Sequence, residues 1–569
     1  MDASRSGHNP EMPQASHGPN SRATSIRVGI AGHLPEALGL AFIVLVAAYL
    51  RLNNLQAGAD WDSDQGGLML ALRDALHSGS LPQLGMLASP GTFHHGALYL
   101  DLMLPAAWLG NGDPTPVLFE TALTSLAVVP MVWWVARSIA GTAAGLAAAL
   151  LAATSGGLVF FSGFIWNPTV MEPGAALALL GAWQAWSGRK PAWLPVAAAG
   201  TAISMQADLA GIALFVPMAC ILIALLVRGP AGRRRHIALW GAAAAAVIVV
   251  TYVPFIFYEL GHRFAETHAI VAYLTGPTGQ ASHSLAYRLA VGPVRILAWP
   301  LTGWPLWGQT SGLVLASAVS VACAAGLVWR LVATARPRIV SEAGPTNDPA
   351  EADDPLGAAA RERDGTRLIV GSLAALTAAL VFGLANLADL KELTEQYHIV
   401  ADPFVIVAAG ILLGSLWRLR PSRAAGALGR AAKACGPLVC LAILAGLVWQ
   451  SAAQWPSGTT PFSWSAAQSA ASRLEGDASG KTIALVGLTG GRSTDTYLYP
   501  LVSDGARVAA PDRTTVLVVL CDTSVSASCG GSQEDAWLAT QTYAAGFVLV
   551  DRFEAAPGRM LSVYEPGAA

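Results

Sequence analysis

Apolar residues in this chain come in long runs rather than in alternation with polar ones. Runs lie near 34–50, 96–110, 116–137, 141–163, 168–187, 191–207, 209–227, 236–257, 311–333, 367–386, 399–417 and 433–452. A bilayer-spanning helix needs roughly 20 predominantly apolar residues, so the pattern predicts a polytopic α-helical membrane protein with about 11–13 transmembrane helices. The stretch 141–163 carries Thr154-Ser155-Gly156-Gly157 at its centre. It is expected to cross in two short pieces or to fold back, because irregular backbone at that depth is tolerated only where protein or a cavity covers it.

The pattern changes after about residue 453. "KTIALVGL", "TTVLVVLC" and "GFVLVDRF" are short β-rich runs separated by turn residues, and "EDAWLATQTYAA" suits a helix. These features predict a small α/β domain over 453–569. Residues 1–33 are Ser/Pro/Gly-rich and read as a disordered cytoplasmic tail. Residues 334–366, with "EAGPTNDPAEADDP" at their centre, read as a polar cytoplasmic linker. The span 34–452 is then the transmembrane domain.

Composition agrees with the periodicity. The 569 residues are 54% hydrophobic and only 12% charged, with a mean hydropathy of +0.49, whereas soluble domains carry about 25% charged residues. A net charge of −2 gives no electrostatic footprint for nucleic acid. Lys and Arg cluster at Arg189-Lys190, Arg228 to Arg235, Arg330 to Arg338, Arg361 to Arg367 and Arg418 to Lys433, which the positive-inside rule places in the cytoplasm. The segments 51–95, 164–168, 206–209, 258–310 and 387–398 then face outward, together with the tail after Gln450. An outward C-terminus requires an odd number of crossings, and the twelve runs above are even by one. Of six cysteines, Cys521 and Cys529 alone lie in the polar C-terminal region; outside the cytoplasm they are a candidate disulfide.

Candidate chemistry gathers in the outward segments. "GADWDSDQGG" (Gly58 to Gly67) places Asp60, Asp62 and Asp64 just before an amphipathic stretch that reads as a helix on the membrane surface. One acid is enough to cap that helix, with Asp64 or Ser63 the expected cap; three exceed that need. His94 and His95 open the apolar run that follows. Two histidines beside a carboxylate loop suit an anion and leave open a divalent metal, although no spacing here matches a zinc site. Asn167, before Pro168, reads as a helix cap. Glu120, Asp208 and Asp402 lie near predicted helix ends, where hydration accounts for them.

The order of these stretches resembles the GT-C-type integral-membrane glycosyltransferases. It is most similar to the bacterial relatives of protein O-mannosyltransferases and to the transferase that adds aminoarabinose to lipid A. Asp64-Gln65, Leu81 to Gly85 and Gly96 to Tyr99 occupy the places of that family's acidic pair, Leu-Pro-Leu-x-Gly stretch and Gly-Pro-Leu-Tyr stretch, with Ala97 for the proline. "FSGFIWNPTVMEP", "AISMQADLAGIALFVP" and "YVPFIFYELGHRFAETHAIVAYL" match three further segments, with Gly163 where a basic residue is common and Asp208 where histidine is.

The resemblance implies a polyprenyl-phosphate-linked sugar donor, transfer with inversion on the outer face of a bacterial inner membrane, and a glycan, lipid or protein of the cell envelope as acceptor. It carries the general-base role to Asp64, with Asp62 second. For donor and acceptor binding the candidates are His94, His95, Glu172, Glu259, Arg263, Lys391 and His398. A transporter or flippase for a lipid-linked saccharide is the rival class. It favours internal repeats and broken helices at the bilayer midplane, and the sequence shows no such repeat.

Overall fold

The computed structural model describes residues 20–88, 92–187, 190–275, 284–303, 312–335, 355–386, 395–418, 427–456, 458–478, 480–488, 493–523 and 529–567. The N-terminal part is helical: α1 (Asn20–Leu52), α2 (Leu55–Gly58), α3 (Ser63–Ser78), α4 (Leu98–Gly110), α5 (Thr115–Ala140), α6 (Thr142–Thr154), α7 (Gly156–Phe161), α8 (Met171–Ser187) and α9 (Leu194–Ala207). There follow α10 (Phe215–Arg228), α11 (Ala231–Thr251), α12 (Val253–Gly261), α13 (Ala265–Thr275), α14 (Leu285–Thr302), α15 (Leu313–Ala335), α16 (Pro355–Asn386), α17 (Asp402–Trp417) and α18 (Ala427–Ala452). Among the described residues eight helices are long and apolar enough to cross a membrane, and shorter apolar helices pack beside them.

The bundle is held by small residues. Without a hydrophobic driving force between helices in lipid, close backbone approach supplies the packing. A Cβ added at Gly414 of α17 would lie 2.6 Å from the Ala144 side chain of α6, and one at Gly200 of α9 would lie 2.3 Å from the Gly174 carbonyl of α8. The central helix α17 is buried along most of its length.

The run 141–163 breaks into α6 and α7 at Ser155. Gly156 and Gly157 sit against Gln454 and Trp299, where a Cβ would clash. Arg51, at the end of α1, is fully buried and satisfies the carbonyls that the break exposes: its Nη1 donates to Ala153 O and its Nη2 to Ala152 O, each at 2.9 Å.

Several expectations are revised. The run 96–110 does not cross. The 13 residues of α4 rise only about 20 Å against a hydrocarbon core of about 30 Å. Its first residue, Leu98, donates its N–H to Gln206 at 3.4 Å, and Gly112, just past its end, accepts the hydroxyl of Tyr499 in the C-terminal domain. The segment 258–310 is not a plain loop, because α13 and α14 fold within it; α14 packs on α15, with Ser320 Oγ donating to Val294 O at 3.1 Å. Helix α1 begins at Asn20, inside the expected tail. Helix α16 begins at Pro355, inside the expected linker; residues 336–354 lie outside the described residues.

The C-terminal domain has α19 (Trp464–Asp477), α20 (Asp495–Ser503) and α21 (Ser532–Ala539) around β1 (Ile483–Gly487), β2 (Val516–Asp522), β3 (Phe547–Ala556) and β4 (Arg559–Pro566). The sheet order is β1-β2-β4-β3. β1 and β2 are parallel (Ile483 opposite Val516), whereas β4 runs antiparallel to both β2 and β3. All seven residues of β2 are buried, as the continuous apolar run requires of a central strand. Cys521 and Cys529 form a disulfide, with Cα atoms 5.4 Å apart.

Candidate active site

The three aspartates ahead of α3 have different partners. Asp62, not Asp64 or Ser63, caps the helix. Its side chain accepts the Ser63 N–H at 2.8 Å, and Gln65 Oε1 accepts the Asp62 N–H at 2.8 Å in a capping box. Asp62 also accepts the Thr496 hydroxyl at 3.2 Å and pairs with Arg559 at 2.9 Å, both in the C-terminal domain. Asp60 bridges to Ser463; burial raises its carboxyl, opposed by a hydrogen bond from Thr460 and by the nearby Arg559. Asp64, the second residue of the helix, has no bonded partner in the C-terminal domain among the described residues and faces elsewhere.

Asp64 opens onto a cavity of about 80 Å³, lined also by His95, Trp166, Asn167, Asp208 and Tyr397. These residues come from four separate outward segments read in the sequence, 51–95, 164–168, 206–209 and 387–398. Although Asp64 is open to water by surface area, the walls strip part of its hydration. Burial raises its carboxyl above the ordinary range, a hydrogen bond from Trp166 lowers it, and the charge of Asp495 raises it again.

Backbone geometry places the partners. Gly85 N–H donates to His95 O at 2.9 Å and His95 N–H to Met86 O at 3.0 Å, so residues 85–88 and 93–96 form a short ladder that ends at His95. This explains two glycines: a Cβ at Gly85 would lie 2.2 Å from Gly96 O, and one at Gly96 would lie 2.5 Å from Gln206 Oε1. His95 is nearly enclosed, with Nε2 3.8 Å from Asp208 Oδ2. Burial lowers its pKa, opposed by Asp208 and reinforced by His94, so the ring is neutral at pH 7. Asp208 caps the following turn by accepting Ala210 N–H at 2.8 Å. Asn167 does not act as a cap through its side chain; its amide donates to Ala207 O, tying the start of α8 to the end of α9.

The other candidates lie elsewhere. His94 turns to buried Glu266 (Nδ1 to Oε1, 2.9 Å). Glu259 accepts the N–H groups of Glu266 at 2.9 Å and Thr267 at 3.0 Å, and also the Thr267 hydroxyl; it is the anchor of the α13 N-terminus. Arg263 is exposed in the preceding turn, at φ 56°. Glu172 and His398 are buried deeper in the bundle, Glu172 near Arg51 and His398 beside Trp299, their ring centroids 6.5 Å apart. Lys391 lies outside the described residues. The structure thus joins Asp64 and His95 at one cavity and separates them from Asp62, His94, Glu172, Glu259, Arg263 and His398. From sequence Trp166 reads with the other interfacial tryptophans as part of an aromatic belt, and Tyr397 is not singled out; an aromatic residue in a helix-connecting loop offers no signal that separates a site from a membrane belt. Among the described residues, no group of three or more His, Cys, Asp or Glu side chains is placed to hold a metal ion.

Solved structures share this architecture. ArnT from Cupriavidus metallidurans in the apo state superposes with a TM-score of 0.56 at 13% identity, over 93% of this chain and 98% of that one. The fold is of the GT-C type. ArnT from the same organism bound to undecaprenyl phosphate gives a TM-score of 0.54 at 13% identity, over 93% of this chain and 97% of that one. The apo oligosaccharyltransferase of Archaeoglobus fulgidus gives 0.48 at 13% identity, over 84% of this chain and 65% of that one. No protein-family model and no curated protein sequence matches the chain. Within the GT-C fold the cavity at Asp64 lies where α3, the 85–96 ladder, the segment before α8, the end of α9 and the segment before α17 meet.

Proposed function

We propose that this chain is a bacterial inner-membrane glycosyltransferase that moves a sugar from a polyprenyl-phosphate carrier to a cell-envelope acceptor outside the cytoplasm. The observation that carries this reading is the placement of Asp64: its two neighbouring aspartates contact the C-terminal domain, while Asp64, held by Trp166, opens onto a cavity shared with His95. An acceptor hydroxyl attacking the anomeric carbon must lose a proton, and a water-reachable carboxylate with a raised pKa is suited to take it. A single base and a single displacement give inversion.

The carrier phosphate leaves as an anion and needs donors; neutral His95 offers one ring N–H, and its pKa rises when an anion binds beside it. We propose that Asp62, His94 and Glu259 act by holding the site's walls, and that Glu172 and His398 act, if at all, from deeper in the bundle. Nothing in this scheme requires a metal. The Cys521–Cys529 disulfide supports an outward C-terminal domain, since such bonds persist in oxidising compartments. The ArnT structure holding undecaprenyl phosphate supports a polyprenyl-phosphate carrier.

The test is reconstitution in vesicles with a polyprenyl-phosphate-linked radiolabelled sugar and envelope extract. The wild type is expected to transfer label to the acceptor fraction, and Asp64→Asn to lose roughly 10²–10⁴-fold in rate, the range for a removed general base, while staying folded. Movement of the lipid-linked sugar across the bilayer without transfer, or full transfer by Asp64→Asn, would overturn the reading.

A further inference from the structure

A second cavity, of about 450 Å³, lies between α3, the end of α4 and α20. Its wall includes Arg73, His77, Trp108, Asn111, Tyr499 and Ser503. On α3 it is formed by Met69, Arg73 and His77, whereas Asp64 and Leu68 face the first cavity; at 100° per residue these are opposite sides of one helix.

We propose that this cavity seats the phosphate of an anionic lipid headgroup. Arg73 is half-buried and makes no hydrogen bond or ion pair with any described residue. A half-buried, unpaired guanidinium suits a phosphate, which it meets with a rigid fork of donors. The nearby carboxylate of Asp113 is already engaged, accepting both the N–H and the hydroxyl of Thr115 at 2.9 and 2.6 Å. Asp504 is the other acid beside the wall and lies 3.5 Å from the Ser503 hydroxyl.

Tyr499 is fixed by donating its hydroxyl to Gly112 O at 2.9 Å. Asn111 and Gly112, in left-handed conformation at φ 44° and 101°, turn the chain around the cavity. The adjoining end of α4 presents Trp108 and Leu109, 69% and 70% exposed. Because α4 is too short to cross, these side chains lie beside the cavity at one membrane face, where aromatic residues meet headgroups. Acyl chains have an apolar flank and the phosphate has a cation, side by side. The site is separate from the proposed sugar-transfer cavity and does not rest on that reading.

The experiment is native mass spectrometry of the full chain released from vesicles containing equal phosphatidylglycerol and phosphatidylcholine. Wild type is expected to retain phosphatidylglycerol preferentially. Arg73→Ala should lower that retention roughly tenfold, the scale of losing one hydrogen-bonded charge, and Arg73→Lys should keep part of it. Arg513→Ala, changing an exposed arginine on the C-terminal domain, is expected to retain lipid as wild type does. Equal retention by wild type and a monodisperse Arg73→Ala overturns the proposal. So does an Arg73-dependent melting shift with inorganic phosphate when no phosphatidylglycerol is held, because the anion then comes from solution. If Arg73→Ala does not fold, Arg73→Lys and His77→Ala carry the comparison, and wild-type retention by both overturns it.

Discussion

Asp64 holds its charge where the surroundings resist it. Burial and the neighbouring Asp495 raise its carboxyl, and the Trp166 bond offsets only part of that. A carboxyl raised in the folded state is penalised as pH climbs through the unfolded pKa, and the penalty is complete above the folded one. Asp64→Asn should therefore raise the melting temperature at pH 7 and lose that advantage below the ordinary aspartate pKa of about 4; differential scanning fluorimetry across pH reads it. For the proposed role of Asp64 as a base that acts only when ionised, the same shift is expected to move the acid limb of kcat/KM for sugar transfer above the ordinary carboxylate range, read by a pH–rate profile. The sequence marked the acidic loop, and the resemblance put Asp64 ahead of Asp62 as the candidate base, but the cap was expected at Asp64 or Ser63 rather than at Asp62. The capping box that assigns the cap to Asp62 is local, made with Ser63 and Gln65, whereas its further partners Thr496 and Arg559 are more than 400 residues away in the chain.

At the scale of elements, the setting of α3 decides where Asp64, the proposed base, points. Helix α20 lies so close to α3 that a Cβ at Gly66 would lie 2.1 Å from Asp495 O. Gly66→Ala should force the helices apart, costing about 1–3 kcal/mol as overpacking does. It is expected to lower transfer through geometry, with limited proteolysis showing the C-terminal domain released. Asp62→Ala removes a cap and an ion pair with nearly buried Arg559. A loss of about 1–3 kcal/mol is expected, with activity falling as docking loosens; chemical denaturation of the purified protein measures it. Hydropathy located most of the helices, since long apolar runs leave little choice. It took the run at α4 for a span because an apolar run does not show where its helix ends; the helix is 13 residues long, and Gly112 beyond its end contacts Tyr499 and Ser503 of the C-terminal domain. It also passed over α14, whose two internal prolines and two arginines break up the apolar signal.

For the whole molecule, the C-terminal domain is part of the site's frame. Trp61, Trp464 and Tyr499 pack with ring centroids 4.6 to 5.8 Å apart across the junction, and Trp61 Nε1 donates to Thr496 O at 2.9 Å. Such long-range pairs carry no mark in local sequence, so the domain was legible but its docking was not. The buried guanidinium of Arg51 bears on how this assembly is made. Beyond Ala47 on its own helix and Ser125 on α5, its two closest acceptors, Ala152 and Ala153, are translated a hundred residues after it. Until they arrive, α1 carries a cation that lipid will not solvate, so the side chain must reach to the headgroups or to water. Seating of the first helix therefore waits on the sixth, and during synthesis the nascent bundle stays open along that seam.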